Sequence, residues 1–405
     1  MSRRPFLALA AAECLSISGS RLAGIAIPWL VLTTTGSPVL TGIVAMAEML
    51  PAVVSRALGG PLIDRIGAHR VAIVGDLLSV LVIALVPILH ALGALEVWLL
   101  LPIVFLLGLL RGPTDAAKLV LIPQVARLAG LPLERVTGVV GVIERLGSVV
   151  GAGLAGALVA LIGPAEALLV NVAAFSLSAL IVALGIPPVA AATRAVTGYL
   201  ADLREGWRFL RSDAVLVGIV LMLSVTNLLD QAYFVVLVPV WVEAGGQGAD
   251  LLGLVFATFA AASIAGAAIA TLFGERLPRL PVYVLAFLLT GLPRYLAFAL
   301  GFPPAWVFGV VALAGFASGF LNPILGAVIF ERIPPALRGR VSSLSTALGF
   351  SLMPFGGVLA GLLIAPFGVA AAFGICGAIY LGATLLPLLR PSFRAFADRP
   401  EPGPG

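Results

Sequence analysis

Long apolar runs alternate with short polar connections along almost the whole chain. A run of about 20 apolar residues is long enough to cross the hydrocarbon core of a bilayer as an α-helix. Twelve runs reach this length, and the predicted helices cover residues 6–32, 38–62, 70–90, 97–122, 137–162, 165–187, 214–240, 250–273, 281–300, 304–331, 341–364 and 368–389. The pattern therefore predicts an all-α membrane protein with twelve transmembrane helices.

Residues 188–213 interrupt the apolar pattern at the midpoint of the chain. Leu200, Leu203, Trp207 and Leu210 lie there at helical spacing with arginines between them, which predicts a short amphipathic helix along the inner membrane surface. A solvated linker is the alternative interpretation. The expected organisation is a six-helix bundle over 1–187, a cytoplasmic linker over 188–213, a second six-helix bundle over 214–389 and a cytoplasmic tail over 390–405.

The two halves of the chain repeat. At an offset of 211 residues, Asp64-Arg65 matches Glu275-Arg276 and Gly108 matches Gly319. Further along, Gly151 matches Gly356 at an offset of 205, because the loop 123–135 is six residues longer than its counterpart. We therefore expect two pseudo-symmetric six-helix bundles.

The composition agrees with a membrane protein, since 61% of the residues are hydrophobic and 11% are charged, against about 25% charged residues in soluble domains. With twelve spans, both termini lie on one side, and most of the lysine and arginine residues, including Lys118, are assigned to that side. Positively charged residues concentrate in cytoplasmic loops. The protein is therefore expected in the cell (inner) membrane, with both termini in the cytoplasm. The net charge of +5 follows from this topology and does not indicate nucleic-acid binding.

Enzymatic and cofactor motifs are missing from the sequence. The chain has two histidines and two cysteines without metal-ligand spacing, and its single lysine follows Ala117, so it forms no P-loop. Residues 151–156 match the dinucleotide pattern G-x-G-x-x-G but lie inside a predicted span, where small residues serve helix packing. We expect no enzyme, no cofactor and no metal.

The charged hairpin between the second and third spans carries a motif. Its sequence, Gly-Gly-Pro-Leu-Ile-Asp-Arg-Ile-Gly-Ala-His-Arg over 59–70, resembles the loop 2-3 signature of the major facilitator superfamily. Gly60 is expected to allow close helix approach, Asp64 to place a carboxylate at the membrane face, Gly67 to form a tight turn, and Arg65 and Arg70 to hold the loop in the cytoplasm. An ordinary turn is the alternative.

The resemblance extends over the whole chain, and features such as Pro28-Trp29, Gly36-Ser37-Pro38 and the Arg338–Val341 segment resemble the macrolide-efflux and enterobactin-exporter branch. It implies a secondary active transporter working by alternating access, with a substrate site at the midplane between the halves. The expected function is proton-coupled efflux of a small amphipathic organic molecule, such as a drug, macrolide or siderophore-like compound. An importer or a lipid or lysophospholipid transporter on the same fold is the alternative. The expected partners are the substrate, a proton and the lipid bilayer, and the protein is expected to be a monomer.

Ionisable residues at membrane depth cost at least ~2.5 kcal/mol near the bilayer centre and are functional candidates by default. The substrate or coupling candidates on spans near the expected cavity are Glu13, Arg21, Glu48, Arg111, Asp115, Asn227, Asp230 and Asn322. Arg111 partly resembles the fourth-span arginine of drug/proton antiporters, without the Gln-Gly pair that follows it there. Asp230 is the favoured proton-responsive group, because its own helix has no basic residue nearby.

Static ion pairs are the alternative for these residues, with Glu48 paired to Arg21. Arg294 lies on the ninth span, which is peripheral in this superfamily, so a structural role is expected for it. If Arg21 and Arg111 both reach the cavity and Asp230 is the only acid on the opposite half at that depth, the substrate should be neutral or anionic rather than a permanent cation.

A cytoplasmic latch is also predicted from the repeat. Asp64 with Arg65 and Arg340 should stabilise the outward-facing state, because helix N-termini favour a nearby carboxylate. Glu275 with Arg276 should form a weaker second latch, because its loop has Pro278 in place of the glycine equivalent to Gly67. The alternative makes Asp64 only a topology and folding residue.

Overall fold

A computed structural model describes residues 3–188, 199–273, 278–334 and 337–385. Over this part of the chain the secondary structure is helical and contains no strand. The first part contains α1 (Arg4–Thr35), α2 (Pro38–Leu58), α3 (Gly60–Ile66), α4 (Ala68–Ala91), α5 (Val97–Ala129), α6 (Leu133–Ile162) and α7 (Pro164–Gly185). These helices correspond to the six predicted spans of the first half, with α3 as an additional short helix in the loop.

The second part of the chain has more interrupted helices. Its elements are α8 (Tyr199–Ser212), α9 (Ala214–Ala232), a π-helical segment (Tyr233–Leu237), α10 (Val238–Ala244), α11 (Ala249–Phe273), α12 (Arg279–Thr290), α13 (Leu292–Ala299), α14 (Pro304–Ser318), α15 (Leu321–Arg332), α16 (Arg338–Phe350), a 3-10 turn (Met353–Phe355) and α17 (Gly356–Leu385). The predicted seventh, ninth, tenth and eleventh spans are therefore broken or locally rewound.

Ten helical stretches in the described residues are long and apolar enough to cross a membrane. One of them, Arg340–Leu385, contains the eleventh predicted span and residues 368–385 of the twelfth, and it breaks at Gly368, whose φ of 78° is left-handed. The apolar part of α6, Val150–Ile162, is shorter than a full span and is not among these ten stretches. The chain is a multi-pass helical membrane protein, and the prediction of twelve spans is consistent with these ten stretches.

The described chain forms two compact units. One unit contains Met1–Ala195 and Val238–Ala257, and the other contains Val196–Leu237 and Thr258–Gly405. Each unit has its own helix crossings and its own buried ion pair, which are described separately below. The predicted domain boundaries remain a prediction.

In the first unit, α2 and α5 cross in close contact at two glycines. A Cβ atom on Gly108 would overlap the backbone oxygen of Glu48, and one on Gly112 would overlap the backbone oxygen of Ala52. Small residues spaced four apart allow helix backbones to approach this closely. Gly108 and Gly112 therefore fix the position of α5, which carries Arg111 between them.

The second unit repeats this crossing between α11 and α14. A Cβ atom on Gly315 would overlap the backbone oxygen of Phe259, and one on Gly319 would overlap that of Ser263. In each unit, two glycines that are four residues apart thus face two backbone carbonyl groups that are also four residues apart on the partner helix.

This repeated crossing corrects the alignment of the two halves. Glu48 and Phe259 are 211 residues apart, whereas Gly108 and Gly315 are 207 apart, as are Gly112 and Gly319. The predicted match of Gly108 with Gly319 is therefore wrong by four residues, about one helical turn. The match of Gly151 with Gly356 agrees with the structure, because Gly151 packs against Arg21 of α1 and Gly356 against Ala232 of α9, two positions that are 211 residues apart.

The linker helix α8 packs on the second unit. Leu210 is buried in a cluster with Leu216, Val220 and Val341, and Glu205 forms an ion pair with Arg340 of α16. The apolar face predicted to lie along the membrane is thus turned toward the protein at Leu210. The side chains of the two more N-terminal leucines of that predicted face lie outside the described residues.

Candidate functional site

Asp76 of α4 is the centre of a buried ion network in the first unit. Its carboxylate accepts hydrogen bonds from Arg111 Nη1 and Lys118 Nζ, each at 2.8 Å, and from Ser178 Oγ at 2.7 Å. The Asp76 and Lys118 side chains are fully buried. Since an isolated buried charge is very unfavourable, these groups compensate one another.

The helices place these groups together for local reasons. Arg111 and Lys118 are seven residues apart on α5, which is about two turns, so they project from one face. Gly75 lets α4 contact that face, because a Cβ atom there would overlap Thr114 Oγ1. As a result, Asp76, the next residue on α4, reaches both bases.

Arg111 is held by four neighbours. Besides Asp76, it pairs with Asp115 one turn further along α5, donates to Ser16 Oγ of α1 at 2.7 Å, and lies 4.3 Å from the centre of the Phe175 ring. The ring face stabilises the guanidinium group through a cation–π interaction. Arg111 is thus a fixed, compensated cation.

Glu13 of α1 adds a third carboxyl group to this network. Its side chain is only 7% exposed and interacts electrostatically with Lys118, Asp115, Arg111 and Asp76. It has no hydrogen-bond partner among the residues that the structure describes. The network therefore contains three carboxyl groups, Glu13, Asp76 and Asp115, against two bases.

The structure brings Glu13, Arg111 and Asp115 together as candidates but separates Arg21 from Glu48. Arg21 interacts with Glu144 of α6, whereas the charged group facing Glu48 is Arg111. The predicted Arg21–Glu48 pair is wrong, because the two residues face different helices.

Two members of the network, Asp76 and Lys118, are absent from the candidates predicted from the sequence. Topology assigns Lys118 to the positive charges of the cytoplasmic side, and the structure instead buries it inside α5. A signal for both is present, because each is an ionisable residue within a predicted span. Asp76 is not predicted as a candidate site residue because it lies on the third span, which is not among the cavity-lining spans of the superfamily.

The second unit has its own ion pair, between Asp230 of α9 and Arg294 of α13. Asp230 is about one-third exposed, at 32%, and Arg294 is fully buried. The expectation that Asp230 lacks a basic partner is therefore wrong, because the partner comes from another helix. Gly291 separates α12 from α13, and a Cβ atom there would overlap the Tyr380 ring.

The two candidate asparagines differ in their surroundings. Asn227 of α9 donates to the backbone oxygen of Gly349 at 2.9 Å, so its amide group ties α9 to α16. Asn322, at the start of α15, is exposed. A role for either in substrate binding stays a prediction.

The hairpin motif is partly as expected. Gly67 has a φ of 93° and forms the predicted tight turn between α3 and α4. The role of Gly60 is wrong, since a Cβ atom added there would have no neighbour within 4 Å, whereas one on Gly59 would lie 3.2 Å from Pro113. Asp64, Arg65 and Arg70 are exposed.

The predicted latch residues of the second half are only partly described. Glu275 and Arg276 lie outside the described residues. Arg340 binds Glu205 in this structure. Its pairing with Asp64 stays a prediction.

Apolar helices of membrane-spanning length define a multi-pass helical membrane protein. The chain belongs to the Major Facilitator Superfamily, whose family model matches residues 9–250 and 220–404. It is a transporter and not an enzyme.

Two relatives are named as efflux proteins. The chain is 29% identical over 381 residues to the multidrug efflux pump Tap of Mycolicibacterium fortuitum, covering 92% of each chain. It is 29% identical over 262 residues to the enterobactin exporter EntS of Shigella flexneri, covering 63% of this chain and 60% of the relative. The resemblance to the exporter branch is thereby confirmed.

The fold is also found among solved structures. The nucleoside transporter NupG superposes with a TM-score of 0.76 at 12% identity, covering 98% of this chain and 100% of the other. At this identity the similarity shows the fold alone.

Proposed function

We propose that the protein exports a small amphipathic organic molecule in exchange for protons. The names of its relatives, a multidrug efflux pump and an enterobactin exporter, support the direction of transport. Alternating access follows as the mechanism proposed for a chain of this superfamily.

The observation that carries the proton coupling is the excess carboxyl group of the first unit. With Glu13 and the neighbouring Glu48 both protonated, the two bases balance Asp76 and Asp115 and the buried network is neutral. With Glu13 ionised, the network carries one uncompensated negative charge in a low-dielectric environment, which is unfavourable. Glu13 is therefore our candidate proton carrier, in place of Asp230, whose charge is already balanced by Arg294.

The substrate that this arrangement supports is neutral or cationic. The preference for anions expected from the sequence requires that Arg111 present an open positive charge. That requirement is not met, because Asp76 and Asp115 both pair with Arg111. Glu13 and Glu48 add further carboxyl groups near it.

Glu13→Gln is expected to abolish the coupling of substrate to proton movement. The amide cannot release a proton, so the network stays in its neutral state. We would reconstitute the full chain in vesicles with a lumenal pH dye, impose pH gradients of either sign, and add neutral, anionic and cationic amphipathic drugs. Substrate-dependent proton flux should fall at least roughly tenfold, as for loss of an essential proton-transfer group.

The matched control is Glu96→Gln, which removes a carboxyl group from an exposed position at the start of α5. It should keep the wild-type flux. Wild-type flux in Glu13→Gln would contradict the assignment, and absence of substrate-dependent flux in the wild-type protein would contradict proton exchange altogether.

We also propose that Asp64 stabilises an outward-facing state together with Arg65 and Arg340. Asp64→Asn should remove roughly 0.5–2 kcal/mol from this state, and spin-label distances across the cytoplasmic helix ends should lengthen. Glu205→Gln offers a control of opposite sign, because it removes the carboxylate that Arg340 binds in this structure and should shorten the same distances. Unchanged distances in both well-folded variants would leave Asp64 as a folding residue.

A further inference from the structure

The second unit contains a fully buried arginine with too few acceptors. Arg294 donates from Nη2 to Asp230, but Nε and Nη1 are buried and have no hydrogen-bond partner in the described part of the chain. The hydroxyl group of Tyr233, which is also fully buried, has none either. Three polar groups of one cluster, Nε and Nη1 of Arg294 and the Tyr233 hydroxyl, therefore have no hydrogen-bond partner in the described part of the chain.

Aromatic rings surround this arginine. The centres of the Tyr233, Phe234, Phe259, Tyr295 and Tyr380 rings lie 4.6–5.9 Å from the guanidinium carbon. Ring faces compensate part of the cost of burying the cation. They do not provide the Tyr233 hydroxyl with a hydrogen-bond partner.

Neighbouring tyrosines show that the fold can satisfy such groups. The Tyr295 hydroxyl donates to the backbone oxygen of Leu229 at 3.0 Å, and the Tyr283 hydroxyl contacts Met222 Sδ at 2.6 Å. Buried polar groups normally have a partner, and those without one call for an explanation such as a ligand or an ordered water. The groups without a partner belong to Tyr233 and to Arg294, the residue that pairs with Asp230.

Asp230 is the exposed edge of the cluster, and two local irregularities position its other members. Tyr233 begins the π-helical segment, and the break at Gly291 directs Arg294 toward Asp230. Short π-helical segments inside α-helices are frequent at functional sites. The cluster therefore combines an edge exposed at Asp230, unused hydrogen-bonding groups and aromatic walls.

We propose that Asp230, Tyr233, Arg294 and the surrounding rings form a subsite for an uncharged hydrogen-bond acceptor, such as a carbonyl, ether or sulfonyl oxygen, carried on an aromatic body. The unused donors of Arg294 and Tyr233 require an acceptor. The Asp230–Arg294 pair is already neutral, so an anion would leave a negative charge uncompensated and a cation a positive one. The aromatic walls favour a ligand with its own ring. This inference deepens the proposed function, because the ligand is the transported amphipathic molecule.

The test compares two neutral fluorescent probes in full-length protein embedded in lipid nanodiscs. Dansylamide carries sulfonyl oxygens beside a naphthalene ring, whereas N-phenyl-1-naphthylamine has the ring without an oxygen acceptor. Wild-type protein should bind dansylamide saturably above the signal of empty nanodiscs. Tyr233→Phe should weaken dansylamide binding roughly three- to tenfold, the effect of one hydrogen bond, and leave the second probe unchanged.

Thermal stability separates a binding role from a structural one. Tyr233→Phe removes a hydroxyl that has no partner in the described part of the chain, so its Tm should equal or exceed that of the wild-type protein. The control Tyr283→Phe removes a hydroxyl that contacts Met222 Sδ and lies on a ring outside those around Arg294, so it should lower the Tm and leave dansylamide binding unchanged. A lower Tm with unchanged dansylamide binding in Tyr233→Phe would overturn the proposal.

Arg294→Lys provides a second variant. It keeps a positive charge for Asp230 but removes the planar set of donors, so it should also weaken dansylamide binding and spare the other probe. Equal weakening of both probes, or no saturable dansylamide binding by the wild-type protein, would overturn the subsite. These measurements use no pH gradient. Loss of proton coupling in vesicles would therefore refute the proposed exchange without affecting the binding result.

Discussion

Asp76→Asn is expected to destabilise the protein by about 3–5 kcal/mol, the usual cost of leaving buried charges without their partner. The asparagine cannot balance Arg111 and Lys118, both of which bind the Asp76 carboxylate in the core of the first unit. The free energy of unfolding in mixed detergent micelles measures this loss. Transport in vesicles should fall with it, because α4 and α5 are no longer held together at this point.

A double variant separates charge imbalance from loss of the aspartate itself. Asp76→Asn with Lys118→Met removes one negative and one positive charge, so the network regains its original balance. We expect this double variant to recover a large part of the lost stability relative to Asp76→Asn alone. Equal instability of the single and the double variant would show that compensation of Lys118 is not the role of Asp76.

Gly315→Ala is expected to destabilise the second unit by at least about 1–3 kcal/mol, the typical cost of overpacking. Its new methyl group would overlap the backbone oxygen of Phe259, which cannot rotate away as a side chain could. Melting temperature and the yield of monodisperse protein measure the effect. The helices α11 and α14 must separate to accept this substitution.

The matched control lies on the same helix. Gly309→Ala on α14 adds the same methyl group where no atom lies within 4 Å, so it should melt like the wild-type protein. Gly108→Ala should repeat the defect in the first unit, where the equivalent contact is with Glu48. Similar melting of the Gly315 and Gly309 variants would contradict the close crossing.

The sequence is sufficient to predict the helices because the runs of apolar residues mark where the chain can remain in a bilayer. It is not sufficient to predict their breaks. The chain stays apolar through Gly291 and through the π-helical segment, and only packing against Tyr380 and Arg294 distinguishes these positions. Internal breaks depend on tertiary contacts, which composition does not record.

The candidate site shows the same limit. Glu13, Arg111 and Asp115 are predictable, since a charge at membrane depth is conspicuous in the sequence. Their partners are not predictable, because pairing depends on the rotation of each helix about its axis and on which helices cross at glycines. The pairing of Arg111 with Asp76 depends on the close contact that Gly75 allows between α4 and α5, and a single sequence does not show that contact.

Lys118 is the only lysine of the chain and is completely buried. A protease that cuts after lysine therefore finds no accessible site on the folded protein and a single site once α5 is exposed. Cleavage yields residues 1–118 and 119–405, two fragments of very different size on a gel. The wild-type chain thus contains its own conformational reporter, and the rate at which these fragments appear measures the opening of the first unit without any introduced label.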